Sequence, residues 1–180
     1  MSRLPPVDPT TMSPEHREAY DEILRVRGHV RGPFAIWLTS PELCCHALTL
    51  QDWFPKRAKL ERRLLELMIL VLARQATAQF AWFVHEPYAL KLGVSQSVIE
   101  AIRERRTPNF ERDDERLVYD LTRELDHTRT LSDHSYARGT AMLGDQAMVE
   151  LVSAVGFYVM VAMTLNTFQA PVPGGKLPLA

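Results

Sequence analysis

The sequence predicts an all-α fold, and three observations carry that expectation. Apolar residues recur at helical spacing, as at Leu117, Val118, Leu121 and Leu125. Two triplets, Ser13-Pro14-Glu15 and Ser40-Pro41-Glu42, each join a capping residue, a proline suited to the first helical position and an acid in the first turn. No run of alternating polar and apolar residues suits a half-buried strand.

Taken in order, a first helix runs from Pro14 through Tyr20 and Ile23 to Arg27, and Gly28 stops it. Gly32-Pro33 breaks the chain ahead of the aromatic run Phe34–Trp37. The helix opened at Pro41 contains Cys44, Cys45 and His46. A long apolar helix then spans Leu64 to Arg74, breaks near Gln75–Thr77, and is followed by a helix carrying Trp82, His85 and Tyr88. Ser95 caps a short helix through Val98, Ile99 and Ile102 that ends near Thr107-Pro108. Arg112 to Leu125 is helical by spacing, and Ser132 starts a helix that stops at Gly144.

The stretch from Ala147 to Leu165 is almost wholly apolar and about as long as a membrane span. It holds Glu150 near its start and lacks flanking Lys or Arg anchors, so burial in protein is expected, partly at a subunit interface. The tail Pro171-Val-Pro-Gly-Gly has no periodicity and is expected to lie over the surface or reach a neighbour. Residues 1–180 are read as one domain, with a core over about 40–125 and a tail at 171–180.

Composition narrows the function. With 21 Lys and Arg against 22 Asp and Glu, the chain has no strong field to attract nucleic acid or an anionic membrane. Arg25, Arg27 and Arg31 form one basic cluster and Arg103, Arg105 and Arg106 another; both read as solvated helix ends. Two cysteines give no disulfide framework and suit a reducing cytoplasm, and the N-terminus has no apolar run of a signal peptide. Six histidines are present but no His-x-x-x-His pair, so no metal is expected. Neither a Gly-rich phosphate loop nor a nucleophile elbow occurs.

One pairing carries chemistry. Glu66 shares a helical stripe with Leu70, Ala73 and Thr77, and an acid on a largely apolar stripe needs a buried partner. Across the break, His85 shares a face with Ala78 and Ala81. Glu66 precedes the break by about ten residues and His85 follows it by about eight, so in an antiparallel pair their levels differ by about 3 Å. A carboxyl and an imidazole facing each other in apolar surroundings form a candidate proton-transfer site. The alternative for Glu66 is pairing with Arg62, Arg63 or Arg74. Arg74 offers a bidentate fork for a substrate carboxylate, or a surface ion pair. Trp82 fits either core or substrate contact, and Phe34 and Trp37 either line the pocket or pack the N-terminal segment.

These residues bear a resemblance. Glu66, Ala73-Arg74, Ala78, Ala81, His85 and the helix up to Gly93 resemble the carboxymuconolactone decarboxylase / alkylhydroperoxidase D-like superfamily, with a looser likeness from Arg31-Gly-Pro-Phe-Ala-Ile-Trp37 to Asn166-Thr-Phe168. Redox members of that superfamily carry a Glu, a Cys-x-x-Cys and a His four residues on. Here Glu66 and His85 fill the outer positions, and Ala78 and Ala81 stand where the cysteines would be. The resemblance implies an alkylhydroperoxidase D-like helical bundle in a trimeric or hexameric homo-oligomer. Without a thiolate and a resolving thiol, dithiol peroxide reduction has no machinery at this position. It implies instead a cofactor-free lyase or decarboxylase using Glu66 and His85 on a small organic acid or lactone, with Arg74, Trp82 and Phe34 in substrate binding. The alternatives are a peroxidase-like oxidoreductase and a non-catalytic small-molecule binding oligomer. The extra N-terminal portion, relative to the shorter decarboxylases, argues for a substrate other than carboxymuconolactone.

Overall fold

A computed structural model describes residues 2–5 and 7–179. Among the described residues all regular structure is helical, and the helical bundle expected from the sequence is what forms. Helix α1 covers Pro14–Arg27. The Ser13 hydroxyl accepts the amide of His16, and Gly28 closes the other end at φ 74° with its N–H on the Leu24 carbonyl. Gly32-Pro33 does not simply interrupt the chain; it launches a short helix, α2, over Pro33–Trp37. Helix α3 spans Pro41–Arg57 and starts where expected, although Ser40 makes no side-chain capping bond.

Helices α4 (Arg62–Gln75) and α5 (Gln79–Lys91) form the hairpin, followed by α6 (Gln96–Arg103), α7 (Asp113–Thr128) and α8 (Asp133–Thr167). The last is broken at Gly144, which adopts φ 78° and ψ 164°, so the stop read from sequence is a kink between two helical halves.

Helix α4 is the axle of the bundle. Every residue from Arg63 to Ala73 is buried, and α5, α6, α7 and α8 pack around it. A helix apolar on all sides must be enclosed in this way. It turns into α5 through Thr77 at φ 51°, where the Thr77 amide donates to Arg74 and the Ala78 amide reaches back to Ala73 at 2.7 Å. That is a Schellman-type closure with a threonine where glycine is usual.

Two buried acids tie distant segments to α4. Arg63 is 3% exposed; it contacts Glu115 at 2.5 Å and Asp114 at 2.6 Å on α7, and Glu61 at 3.2 Å. Glu150, on α8, accepts the amides of Lys59 (2.6 Å) and Leu60 (3.0 Å), while its other oxygen takes the Gln146 amide at 2.9 Å. The loop entering α4 is thereby pinned from the C-terminal helix.

The apolar stretch of α8 is buried on one face only. Leu151, Ala154, Val155, Tyr158, Val161 and Leu165 enter the core, whereas Val149, Val152, Met160 and Met163 are exposed. By length and composition alone α8 passes the test for a membrane span, but its inner face is committed to the bundle core. The tail folds onto its own chain: a 3-10 turn at Pro173–Gly175 leads to a buried Leu179, whose amide donates to Gln79 at 2.9 Å.

Gly32 has no tolerated substitute. Its φ of 62° and ψ of −135° lie in territory reserved for glycine, and an added Cβ would sit 2.4 Å from the Phe80 ring. Gly32→Ala is expected to cost about 2 kcal/mol or more, read as a lowered midpoint in urea denaturation.

Candidate functional site

Glu66 lies one turn into α4, with its side chain 5% exposed, and His85 lies in the second half of α5, with its side chain 14% exposed. The hairpin brings them together: His85 Nδ1 is 2.7 Å from Glu66 Oε2. With Nδ1 as the donor, Glu66 Oε2 accepts, and the other ring nitrogen, Nε2, is the one left outside the pair. Nε2 has no partner among the described residues and is not sealed from solvent. A buried acid orienting an imidazole whose far nitrogen is free is the arrangement of a general acid–base.

The surroundings are aromatic. Tyr158 of α8 meets the His85 ring edge-on at 5.7 Å, and Tyr88, one turn along α5, lies at 6.4 Å. The Tyr158 hydroxyl is held far above the ordinary phenol range by burial and then by the negative Glu66, so it stays protonated. Gln51 is beside it and also accepts from Arg27 at 2.6 Å. Arg27 in turn sits over the Phe34 ring at 4.7 Å, and burial lowers its pKa. Arg27 is therefore not a solvated helix end; it belongs to a buried polar chain behind the site. Arg62 rides over the Tyr88 ring at 5.9 Å and is the exposed cation on this side.

The other residues read from sequence lie elsewhere. Phe34 is fully buried against Trp37 at 5.4 Å, and Trp37 donates to Thr164; both pack the core. Trp82 is also fully buried; its indole N–H donates to Glu86 at 3.0 Å beneath Arg103, which pairs with Glu86 and Glu100. Arg74 is on the same helix as Glu66 but eight residues on, about 12 Å along the axis, and it lines a separate cleft. Ala78 and Ala81 are buried, with Ala81 one turn before His85 on the same face, so methyl groups and no thiols stand at these two positions.

The sequence reading names neither Tyr158 nor Gln51, and it takes Arg27 for a solvated helix end. One signal pointed to Tyr158: it is the single phenol in an otherwise apolar stretch, and a buried hydroxyl needs company. Among the described residues no group of three His, Cys, Asp or Glu side chains converges as a metal ligand set.

Cys44 is shielded by position, while Cys45 is partly exposed. Cys44 is fully buried on α3 with its sulfur toward the Phe34 carbonyl at 3.9 Å. Burial, with a small addition from Cys45, pushes its thiol up to about 12, and burial also raises Cys45. An unfolded thiol ionises near pH 9, so between about 9 and 12 the fold keeps a proton that the unfolded chain loses. Stability is then complete below pH 9 and falls as pH rises toward 12. Cys44→Ala is expected to flatten that alkaline decline in urea midpoints, leaving the later fall that the raised Tyr158 imposes above pH 10.

By sequence, the chain matches no known family profile and no curated protein. By structure, it is similar to an uncharacterized peroxidase-related protein from Silicibacter sp. TM1040, with a TM-score of 0.73 at 13% identity over 93% of this chain and 88% of that one. The two share a fold across nearly their whole lengths.

Proposed function

We propose that this protein is a cofactor-free, carboxymuconolactone decarboxylase-like lyase acting on a small organic acid or lactone through Glu66 and His85. The single observation that carries the reading is the 2.7 Å bond from His85 Nδ1 to a buried Glu66, which leaves Nε2 outward and unpartnered. In decarboxylation next to a conjugated carbonyl, carbon dioxide departs and the bonding pair stays behind in the substrate's π-system, so the resulting dienolate must gain a proton on carbon. His85 Nε2 delivers that proton, and Glu66 stabilises the imidazolium that precedes delivery. Arg62, rather than Arg74, is the cation placed to hold the substrate carboxylate, because it flanks Tyr88 on the same side. The test is turnover of a panel of unsaturated lactone acids and β-keto acids in deuterated water. One deuterium on the product carbon is expected. No product from any member of the panel would end the reading.

A peroxidase-like activity is the second reading, favoured by the fold shared with the peroxidase-related protein. It would have to work without the thiol pair, since Cys44 is buried and protonated and Ala78 and Ala81 carry no sulfur. Dithiothreitol-dependent consumption of hydroperoxide that disappears in a Cys44→Ser, Cys45→Ser variant would establish it.

The working form in either case is a homo-oligomer located in the cytoplasm. The support is the exposed apolar face of α8, where Met163 is 65% and Val149 67% exposed. Sedimentation velocity is expected to show a trimer or hexamer, and Val149→Glu with Met163→Glu should shift it to the monomer.

A further inference from the structure

At the far end of α4 from His85, a cleft of about 180 Å³ gathers arginines from three elements. Arg74 comes from the end of α4, Arg105 and Arg106 from the turn after α6, and Arg123 from α7, with Tyr119 and Thr107 completing the wall. No acidic side chain lines it. Arg106 is paired outward with Glu104, but Arg74, Arg105 and Arg123 have no carboxylate partner among the described residues. Arg123 lies over the Tyr119 ring at 5.4 Å and donates to its hydroxyl at 3.3 Å, and Arg105 donates to Thr77 at 3.1 Å. The Arg74 Nε is buried without a partner, and its guanidinium makes one long contact, 3.5 Å, to the Leu179 carbonyl.

Such a cluster is unfavourable as it stands. Burial and the neighbouring Arg105 both lower the pKa of Arg74, the mark of a cation short of an anion. Arginine forks match planar carboxylates and phosphates through paired N–H bonds. The volume is about six times that of a water molecule, enough for a small anion and too small for a nucleotide or peptide.

We propose that this cleft is a binding site for a small oxyanion carrying at least two charges, a phosphate monoester group or a dicarboxylate, separate from the Glu66–His85 pair. Arg74 and Arg123 grip its oxygens, Arg105 adds a third cation, and the Tyr119 hydroxyl donates to a remaining oxygen. The inference stands whether or not the lyase reading holds, because it uses none of the residues of that site.

Isothermal titration calorimetry on the full chain, with inorganic phosphate and with malonate as probes, tests it. Saturable binding that weakens with added sodium chloride is expected. Arg123→Gln and Arg105→Gln, both at exposed side chains, should each raise Kd about tenfold or more while leaving the circular dichroism unchanged. Tighter binding of phosphate points to a phosphate ester as the natural occupant, and tighter binding of malonate to a dicarboxylate. Failure of both probes to bind at millimolar concentration would overturn the proposal, as would wild-type affinity in the double variant.

Discussion

His85→Ala is expected to lower turnover about 10²–10⁴-fold, the span that a positioned proton donor contributes. The loss should fall on kcat rather than KM, because in the proposed reaction Nε2 acts on the reacting carbon and not on the substrate carboxylate. Added imidazole should restore part of the rate, since the site would then hold a cavity shaped like the missing ring. Glu66→Gln should be less severe. Glutamine still accepts from Nδ1 through its amide oxygen, so the tautomer survives, but the charge that stabilises the imidazolium is gone. If both variants turn over an identified substrate at the wild-type rate, the acid–base roles are wrong. Arg62→Gln offers a contrast, with KM raised and kcat largely kept.

Arg63→Met should be the most damaging substitution for stability. Arg63 is buried at the start of α4, and burial alone would lower its pKa, yet the hydrogen bonds it donates to Asp114, Glu61 and Glu115 hold that pKa above the ordinary range. Removing it strands Glu115, which is buried, without its cation. Breaking one side of such a cluster costs about 3–5 kcal/mol, which for a domain of this size lowers Tm by about 10 °C. Adding Glu115→Leu should recover much of that loss, because the cost lies in the unpaired charge. A double variant as unstable as the single would place the cost in packing around α4 instead.

Much of this architecture could be read in the sequence. Capping chemistry at Ser13 and Ser95, the glycine stops at Gly28 and Gly144 and the apolar run of α4 locate the helices within a few residues. The facing of Glu66 and His85 followed from the helical rise and the position of one turn. What escaped were contacts across many residues. Arg27 looked like a solvated helix end because nothing local reveals Gln51 and Phe34 waiting for it. Arg74 reads in the sequence as an accessible fork for a substrate carboxylate or as a surface ion pair, on the helix that carries Glu66. Eight residues of rise, however, put it at the opposite end. The short helix α2 was missed because Pro33–Trp37 is too brief to display a period. The apolar C-terminal stretch was legible as buried in protein with a part expected at a subunit interface, and within one chain Val149, Val152, Met160 and Met163 are exposed.

The grip of Glu150 on the Lys59 and Leu60 amides has a consequence for biosynthesis. The segment that launches Arg62, Arg63 and Glu66 is fastened by a residue about ninety positions downstream, and Tyr158, which borders His85, comes later still. A nascent chain halted before that helix leaves the ribosome would own the acid and the imidazole without the brace that aims them. The geometry around Glu66 and His85 would thus be completed only once the helix carrying Glu150 and Tyr158 has been made.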